Sequence, residues 1–243
     1  MVEARQPRDI QDLTANDNDG TVSGAPNMVT IPEGTTEGLS TLGSLTQTRL
    51  GSGAFCIPPQ GSVVGKLGGH IETPQVPFGT QNWTIACWMK PAAYTDGYQC
   101  LWWYTPDNGY GTRALLVASG GTVQMDAQGD GTTATCSVVE ADIFSDWSLV
   151  VYQRLAAASF KGWIRMIGDS SWATVTNTND PGNMTEADVE NCGFGLRVEN
   201  DAYNLNGPIA FPRIWLHGSD TPWVEAELNA IFEQGKRFLL GDS

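Results

Sequence analysis

Aromatic residues are missing from the first 54 of the 243 residues, and Phe55 is the first to occur. That segment is instead rich in Asp, Asn, Thr, Gly and Ser and poor in apolar residues. A chain of this composition rarely buries enough apolar surface to form a core by itself. We therefore predict an extended polar N-terminal arm over residues 1–54, which lies on the protein itself or on a neighbouring subunit. Residues 55–243 then form one folded domain.

Basic residues are also scarce, with 13 Lys and Arg against 27 Asp and Glu and a formal net charge of −14. They are scattered rather than clustered on a stripe, which excludes nucleic acid as an expected partner. No apolar run approaches the roughly 18 residues of a membrane span. The first residues lack the apolar segment of a signal peptide. We therefore expect no membrane partner and no signal peptide.

Cysteine is present in an odd number, five, and no two cysteines have CxxC spacing. This pattern favours reduced thiols in a protein that folds in a reducing cytoplasm. Cys87 belongs to an apolar set, where it is expected to be a small buried hydrophobic residue. A disulfide between Cys87 and Cys100 remains an alternative that nothing in the sequence selects.

Glycine and tryptophan are abundant, at 28 and 9 residues, which favours strands joined by tight turns. The stretch from Trp83 to Met89 contains two interleaved sets. The odd-numbered set is wholly apolar, and the even-numbered set is apolar at its centre. This pattern predicts a strand buried on both faces, which ends at Pro91 because proline cannot donate to a ladder.

One helix is predicted near the C-terminus, with Thr221 as its cap, Pro222 at its first position and Gly235 as its end. Its apolar stripe at helical spacing consists of Val224, Leu228, Ile231 and Phe232. We expect this helix to cover the open edge of a sheet sandwich.

Four segments resemble, in the right order, the strands of laminin-G-like, concanavalin A-type jelly rolls. They are Gly-His-Ile-Glu-Thr at 69–73, the run at 78–91, Trp-Ser-Leu-Val-Val-Tyr at 147–152 and the closing run at 206–216. The resemblance implies an all-β fold, a two-sheet antiparallel jelly-roll sandwich with one short C-terminal helix. The family includes lectins, glycanases, adhesion modules and virion proteins, so the fold does not choose a function.

Catalytic residues are not evident. Glycanases of this fold usually carry a Glu-x-Asp-x-(x)-Glu strand, and none is present here. The nearest acid pairs lie in turn-like sequence or on the helix: Glu140/Asp142, Glu186/Asp188 and Glu225/Glu227. His70 and His217 each lie in a predicted strand, and no Gly-x-Ser-x-Gly elbow accompanies them. We therefore predict that the protein is not an enzyme.

The family resemblance raises calcium, which some relatives hold at the loop rim through Asp, Asn and carbonyl oxygens. The candidate ligands in loops or at strand ends are Asp96, Asp107, Asp126 and Asp130. No fixed-spacing motif supports them, and turns use Asp in any case. We expect no cofactor, with calcium as the alternative.

Consecutive aromatic residues beside a turn suggest carbohydrate or partner binding. These candidates are Trp102, Trp103, Tyr104, Asn108 and Tyr110. Strand alternation puts Trp102 and Trp103 on opposite faces, so at least one large ring is expected near the surface. A ring beside amide and carboxylate groups can stack a sugar. The alternative is that these rings belong to the core or to a subunit interface.

Two functions fit these observations. The first is a phage virion structural protein, a capsid decoration or accessory subunit, made in the host cytoplasm. It would bind other virion proteins and itself as a homo-oligomer, because an ordered polar arm can tie subunits together. The second is a carbohydrate-binding or adhesion module, lectin-like, of a phage tail or a cell-surface apparatus.

Overall fold

The computed structural model describes residues 9–10, 20–23, 27–30, 53–57, 70–72, 78–91, 98–106, 111–117, 121–130, 132–155, 159–184, 189–195, 205 and 207–240. For some of these, among them Tyr104 and Arg113, only the position in a strand is described. Within these ranges the chain forms fifteen strands and one helix.

The strands fall into two sheets. Their bounds are β1 (Asp9–Ile10), β2 (Gly20–Ser23), β3 (Asn27–Thr30), β4 (Gly53–Ile57), β5 (His70–Glu72), β6 (Asn82–Met89), β7 (Tyr98–Pro106), β8 (Gly111–Val117), β9 (Thr122–Gln128), β10 (Ala134–Val139), β11 (Ser148–Leu155), β12 (Ser159–Met166), β13 (Ala173–Asn177), β14 (Val189–Phe194) and β15 (Gly207–Gly218).

Sheet A has the strand order β1-β2-β5-β14-β7-β8-β9-β10, and sheet B has the order β13-β12-β11-β6-β15-β4-β3. Every described pairing is antiparallel. The fold is an all-β, two-sheet antiparallel jelly-roll sandwich with one short C-terminal helix, as the sequence predicted.

Strand β6 is buried along its whole length because sheet B has a packed layer on each face. The odd-numbered residues from Trp83 to Met89 lie in the core between the two sheets. Ala86 and Trp88 lie in a second apolar layer, between sheet B and the helix. The prediction of a doubly buried central strand is confirmed.

The layer between the sheets is held by packed rings and by a hydrogen bond that crosses it. Trp102 of sheet A packs against Phe194, with ring centroids 4.7 Å apart. Tyr152 on β11 donates its hydroxyl to the carbonyl oxygen of Val123 on β9, at 2.7 Å. The two sheets are therefore bonded as well as packed.

Three cysteines, Cys87, Cys100 and Cys136, are buried free thiols. The Cys87–Cys100 disulfide is therefore not formed. Cys87 is 1% exposed within the inter-sheet core, as the sequence predicted. Burial raises the pKa of the Cys136 thiol to about 11.

Helix α1 (Glu225–Leu240) begins later than the sequence predicted. The backbone amide of Val224 donates a hydrogen bond to the Glu227 carboxylate at 2.8 Å. This bond is half of a capping box and marks the beginning of the helix. Val224 is 54% exposed and does not belong to the apolar stripe. Leu228 and Phe232 are fully buried, as predicted. Thr221 is therefore not the cap.

Two further expectations about α1 are corrected by its packing. Gly235 lies inside the helix rather than at its end, and a Cβ built there would lie 2.3 Å from Nε1 of Trp88. The helix packs on the outer face of sheet B, against Trp88, Leu149 and Val151, rather than on an open edge. In the described ranges no helix is both long and apolar enough to cross a membrane.

Short strands include residues of the segment predicted as an arm. β2 pairs with β5 in sheet A, and β3 pairs with β4, which pairs with β15 in sheet B. These strands extend the two sheets of the same chain. The boundary between residues 54 and 55 falls within β4, and the division into an arm and a domain stays a prediction.

Candidate ligand-binding surface

The aromatic residues selected from the sequence do not form an exposed platform where the structure describes them. Trp102 is 0% exposed, in the inter-sheet core, and Trp103 is 1% exposed. The expectation that one of these two rings lies near the surface is therefore wrong, because both faces of β7 are covered there. Tyr104 lies on β7, and Asn108 and Tyr110 lie outside the described residues.

The calcium candidates are partly described. The Asp126 carboxylate on β9 accepts hydrogen bonds from Thr135 at 2.8 Å and from Gln124 at 3.1 Å. The Asp130 carboxylate accepts the amide of Asn183 at 2.6 Å.

The carboxylates of Asp126 and Asp130 thus each accept hydrogen bonds from neighbouring residues of the protein. Asp96 and Asp107 lie outside the described residues. In the described part of the chain no three His, Cys, Asp or Glu side chains are grouped to hold a metal ion, and calcium binding stays a prediction.

Two of the three acid pairs are described, and they lie as the sequence suggested. Asp142 donates its amide to the Glu140 carboxylate at 3.4 Å within one turn, and burial raises the pKa of Glu140, with the charges of Asp169 and Asp142 adding to it. Glu225 and Glu227 occupy the first turn of α1.

The pair Glu186/Asp188 lies outside the described residues. His70 lies on β5, and His217 lies on β15.

A different surface arises on β15 because this strand contains a bulge. Ala210 lies opposite Trp88 on β6, and the next paired residue, Arg213, lies opposite Ala86. Between these two pairs, β15 therefore has one residue more than β6. Phe211, in this bulge, has the rare φ of 50°. The extra residue reverses the alternation and turns Arg213 and every second residue after it to the outer face.

Trp215, His217 and Trp223 form what we call the aromatic surface. The rings of Trp215 and Trp223 have centroids 3.9 Å apart at 74°, and His217 and Trp223 are 5.4 Å apart at 79°. All three side chains are partly exposed. They pack at the margin of the layer between sheet B and α1.

A buried hydrogen-bond network fixes this surface from below. The amide nitrogen of Gln153, a residue that is 0% exposed, donates to the Trp223 carbonyl oxygen at 3.0 Å and to the Thr84 hydroxyl at 3.3 Å. Its amide oxygen accepts the indole N–H of Trp163 at 2.9 Å. The Thr84 hydroxyl is bonded to Nε2 of His217 at 2.9 Å. Two of the three ring-bearing residues are thus held by one polar cluster.

The charges around the surface are arranged along β15. Partial burial lowers the pKa of His217 below its ordinary value, against the opposing charges of Asp220 and Glu227. The ring is therefore neutral at pH 7. At the other end, the Arg213 guanidinium lies 5.8 Å from the Trp215 ring centroid and 5.9 Å from that of Phe211.

The sequence holds a weak signal for this surface, the alternation of Arg213, Trp215 and His217. The other phase of the same strand, Ile214 and Leu216, is wholly apolar. The bulge allows Arg213 and Trp215 to face outward although Ala210, three residues before Arg213, faces the same side. Trp223 follows Pro222 in the first turn of the predicted helix, where nothing in the local pattern separates an exposed ring from a buried one.

No family model matches the chain, and no curated protein matches it in sequence. Solved structures do match. The binding domain of botulinum neurotoxin DC, in complex with SialylT, is 12% identical over 93% of this chain and 50% of its own, with a TM-score of 0.57. The enzymatically active domain of bacteriophage CBA120 tailspike protein 2 is 15% identical over 85% of this chain and 30% of its own, with a TM-score of 0.54.

The LG1-3 region of the laminin α2 chain aligns over 63% of this chain and 30% of its own, at 14% identity and a TM-score of 0.47. The chain thus spans half the length of the toxin domain and less than a third of the tailspike domain and of the laminin region. The likeness to the toxin and tailspike domains shows the jelly-roll fold, which agrees with the resemblance seen in the sequence.

Proposed function

We propose that this chain is a non-enzymatic, carbohydrate-binding adhesion module of a phage virion, which holds a saccharide on the aromatic surface. The observation that carries the proposal is the pair Trp215 and Trp223, two partly exposed indoles in contact, of which Trp223 is held from below through its carbonyl oxygen. A pyranose ring has one apolar face of C–H groups and a rim of hydroxyls. It therefore suits a flat, exposed ring with polar groups beside it.

The polar groups of the surface match the hydroxyl rim. Asp220 and Glu227 supply acceptors near His217, and the neutral His217 ring can both donate and accept. Because Gln153 and Thr84 already hold Trp223 and His217, little side-chain ordering remains to oppose binding.

The structural neighbours also support a binding function. One is named as a toxin binding domain in complex with SialylT, and another as part of a phage tailspike. The chain spans only half or less of each, so their binding and enzymatic activities belong to those proteins. The virion location and the absence of enzymatic activity remain part of the proposal.

The capsid-decoration role stays a prediction. Its premise was an ordered polar arm that ties subunits together. The described strands β2, β3 and β4 instead pair with sheets of their own chain. The aromatic surface favours glycan adhesion over that role.

The test is a glycan array probed with the full-length chain, followed by titration of the strongest ligand. Trp215→Ala and Trp223→Ala should each weaken binding at least about tenfold, which corresponds to about 1.4 kcal/mol. Val139→Ala is the matched control, because Val139 is 59% exposed on β10 of the other sheet. Binding that is unchanged in both tryptophan variants would contradict the proposal.

A further inference from the structure

We propose that the saccharide held on the aromatic surface is acidic and that Arg213 receives its carboxylate; this inference rests on the proposed function. It is carried by the placement of one guanidinium, by its lack of an acidic partner among the described residues, and by the order of charges along β15. Each of these is a separate observation.

Arg213 lies on the outer face of sheet B. The bulge at Phe211 turns Arg213 to the same outer face as Trp215, two residues along the strand. Arg213 is exposed, and its guanidinium lies over the rings of Trp215 and Phe211, 5.8 and 5.9 Å from their centroids. Contact with two rings limits the directions in which this long side chain can point.

Arg213 differs from Arg154 and Arg165 in its ion-pair partners. Arg154 is bonded to the Asp180 carboxylate at 2.7 Å, and Arg165 lies 3.8 Å from the Glu233 carboxylate. Arg213 has no carboxylate within ion-pair distance among the described residues, although the chain has 27 acidic residues and only 13 basic ones. Its planar fork of donors is therefore open to an external anion.

The charges are ordered along β15. Arg213 lies on one side of Trp215, whereas His217 lies on the other, near Asp220 and Glu227. A carboxylate on a bound saccharide is attracted to the Arg213 end and repelled from the acidic end. The surface therefore fixes the direction of the saccharide. Its acidic group lies beside Arg213, and its hydroxyls lie beside the two carboxylates.

The experiment uses the full-length chain on an array of oligosaccharides that carry a hexuronic or nonulosonic acid, each printed beside its methyl ester. The ester keeps the ring and the hydroxyls and removes only the charge. We expect the acid form to bind about tenfold more tightly than its ester. We expect Arg213→Gln to abolish that preference, measured as the ratio of the affinities for the acid and for its ester. Arg213→Lys, which keeps the charge but not the fork, should retain only part of the preference.

The outcomes separate the two proposals. Equal binding of acids and esters by the unaltered chain would overturn the acidic assignment and leave the carbohydrate-binding proposal standing. A preference for acids that persists in Arg213→Gln would overturn the role of Arg213. If no glycan of either form binds, both proposals fail together.

Discussion

The two faces of sheet B are both buried, yet they are built differently. The face toward sheet A is apolar along its centre, and the buried polar residues Ser148 and Arg154 lie only at the two ends of β11. The face toward α1 is apolar under the helix but holds the buried polar residues Thr84 and Gln153 beside it. A sheet can cover another sheet completely, whereas a single helix covers a stripe about 10–12 Å wide. Beyond that stripe lie the polar network and the aromatic surface.

This difference separates the part of the fold that holds the sandwich together from the part that can recognise a ligand. The inter-sheet layer has no free face. The helix layer ends at a margin where the aromatic rings are only half covered. The polar groups at this margin form hydrogen bonds with one another. We therefore expect substitutions in the two layers to affect stability and binding in different proportions.

Gly235→Ala should have the largest effect on stability. Alanine is normally about 1 kcal/mol better than glycine inside a helix. Here its Cβ would lie 2.3 Å from Nε1 of Trp88, and that buried indole cannot move away. We expect a net loss of roughly 3 kcal/mol, typical of severe overpacking, in urea unfolding followed by circular dichroism.

Ala230→Gly, at an exposed helix position, is the matched control and should cost about 1 kcal/mol. A more stable Gly235→Ala variant would contradict the close packing of helix and sheet.

Gly162→Ala makes the same test in the inter-sheet layer. A Cβ there would lie 2.7 Å from the Tyr152 ring and 2.7 Å from a methyl group of Val138. The Tyr152 ring is held by its bond to Val123, so it cannot easily shift. We expect a loss of roughly 2 kcal/mol, and saccharide affinity of the folded fraction should be unchanged. A loss of affinity comparable to that in Trp215→Ala would show that the two layers are not independent.

Gln153→Met should reduce both stability and binding. It keeps the volume of the side chain but leaves the Trp163 indole N–H and the Trp223 carbonyl without their partner. We expect a loss of roughly 1.5 kcal/mol in unfolding and a fall in saccharide affinity beyond that of Gly162→Ala. Comparison of the two variants at equal folded fraction is the measurement. If both retain full affinity, the network does not position the aromatic surface.

The sequence was sufficient to predict what depends on local alternation. β6 and the buried helix residues Leu228 and Phe232 follow from the period of apolar residues alone. Together with the order of segments, they define the jelly roll.

What the sequence could not predict depends on contacts between distant segments. Gly235 has the local character of a helix end, and only the indole of Trp88 explains why it lies inside α1. Trp102 and Trp215 have similar strand settings, yet one is buried and the other is partly exposed. The difference arises from the bulge at Phe211 and from the limited width of the helix. Pro212 indicates an irregularity in this strand, but nothing in the neighbouring residues indicates how far the helix covers the sheet.

The smallest expected effect is the pH dependence that His217 adds. Because partial burial lowers its pKa below the ordinary value of 6.5, the unfolded chain takes up the proton first as the pH falls. Stability contributed by the neutral ring is therefore complete above pH 6.5 and declines as the pH falls below it. His217→Gln should flatten the stability profile between about pH 7 and 5. Unfolding midpoints of both proteins across this range are the measurement, and an unaltered slope in the variant would show that His217 is not the titrating group. Since the same ring belongs to the aromatic surface, saccharide affinity measured at the same pH values shows whether the protonation of His217 affects binding as well as folding.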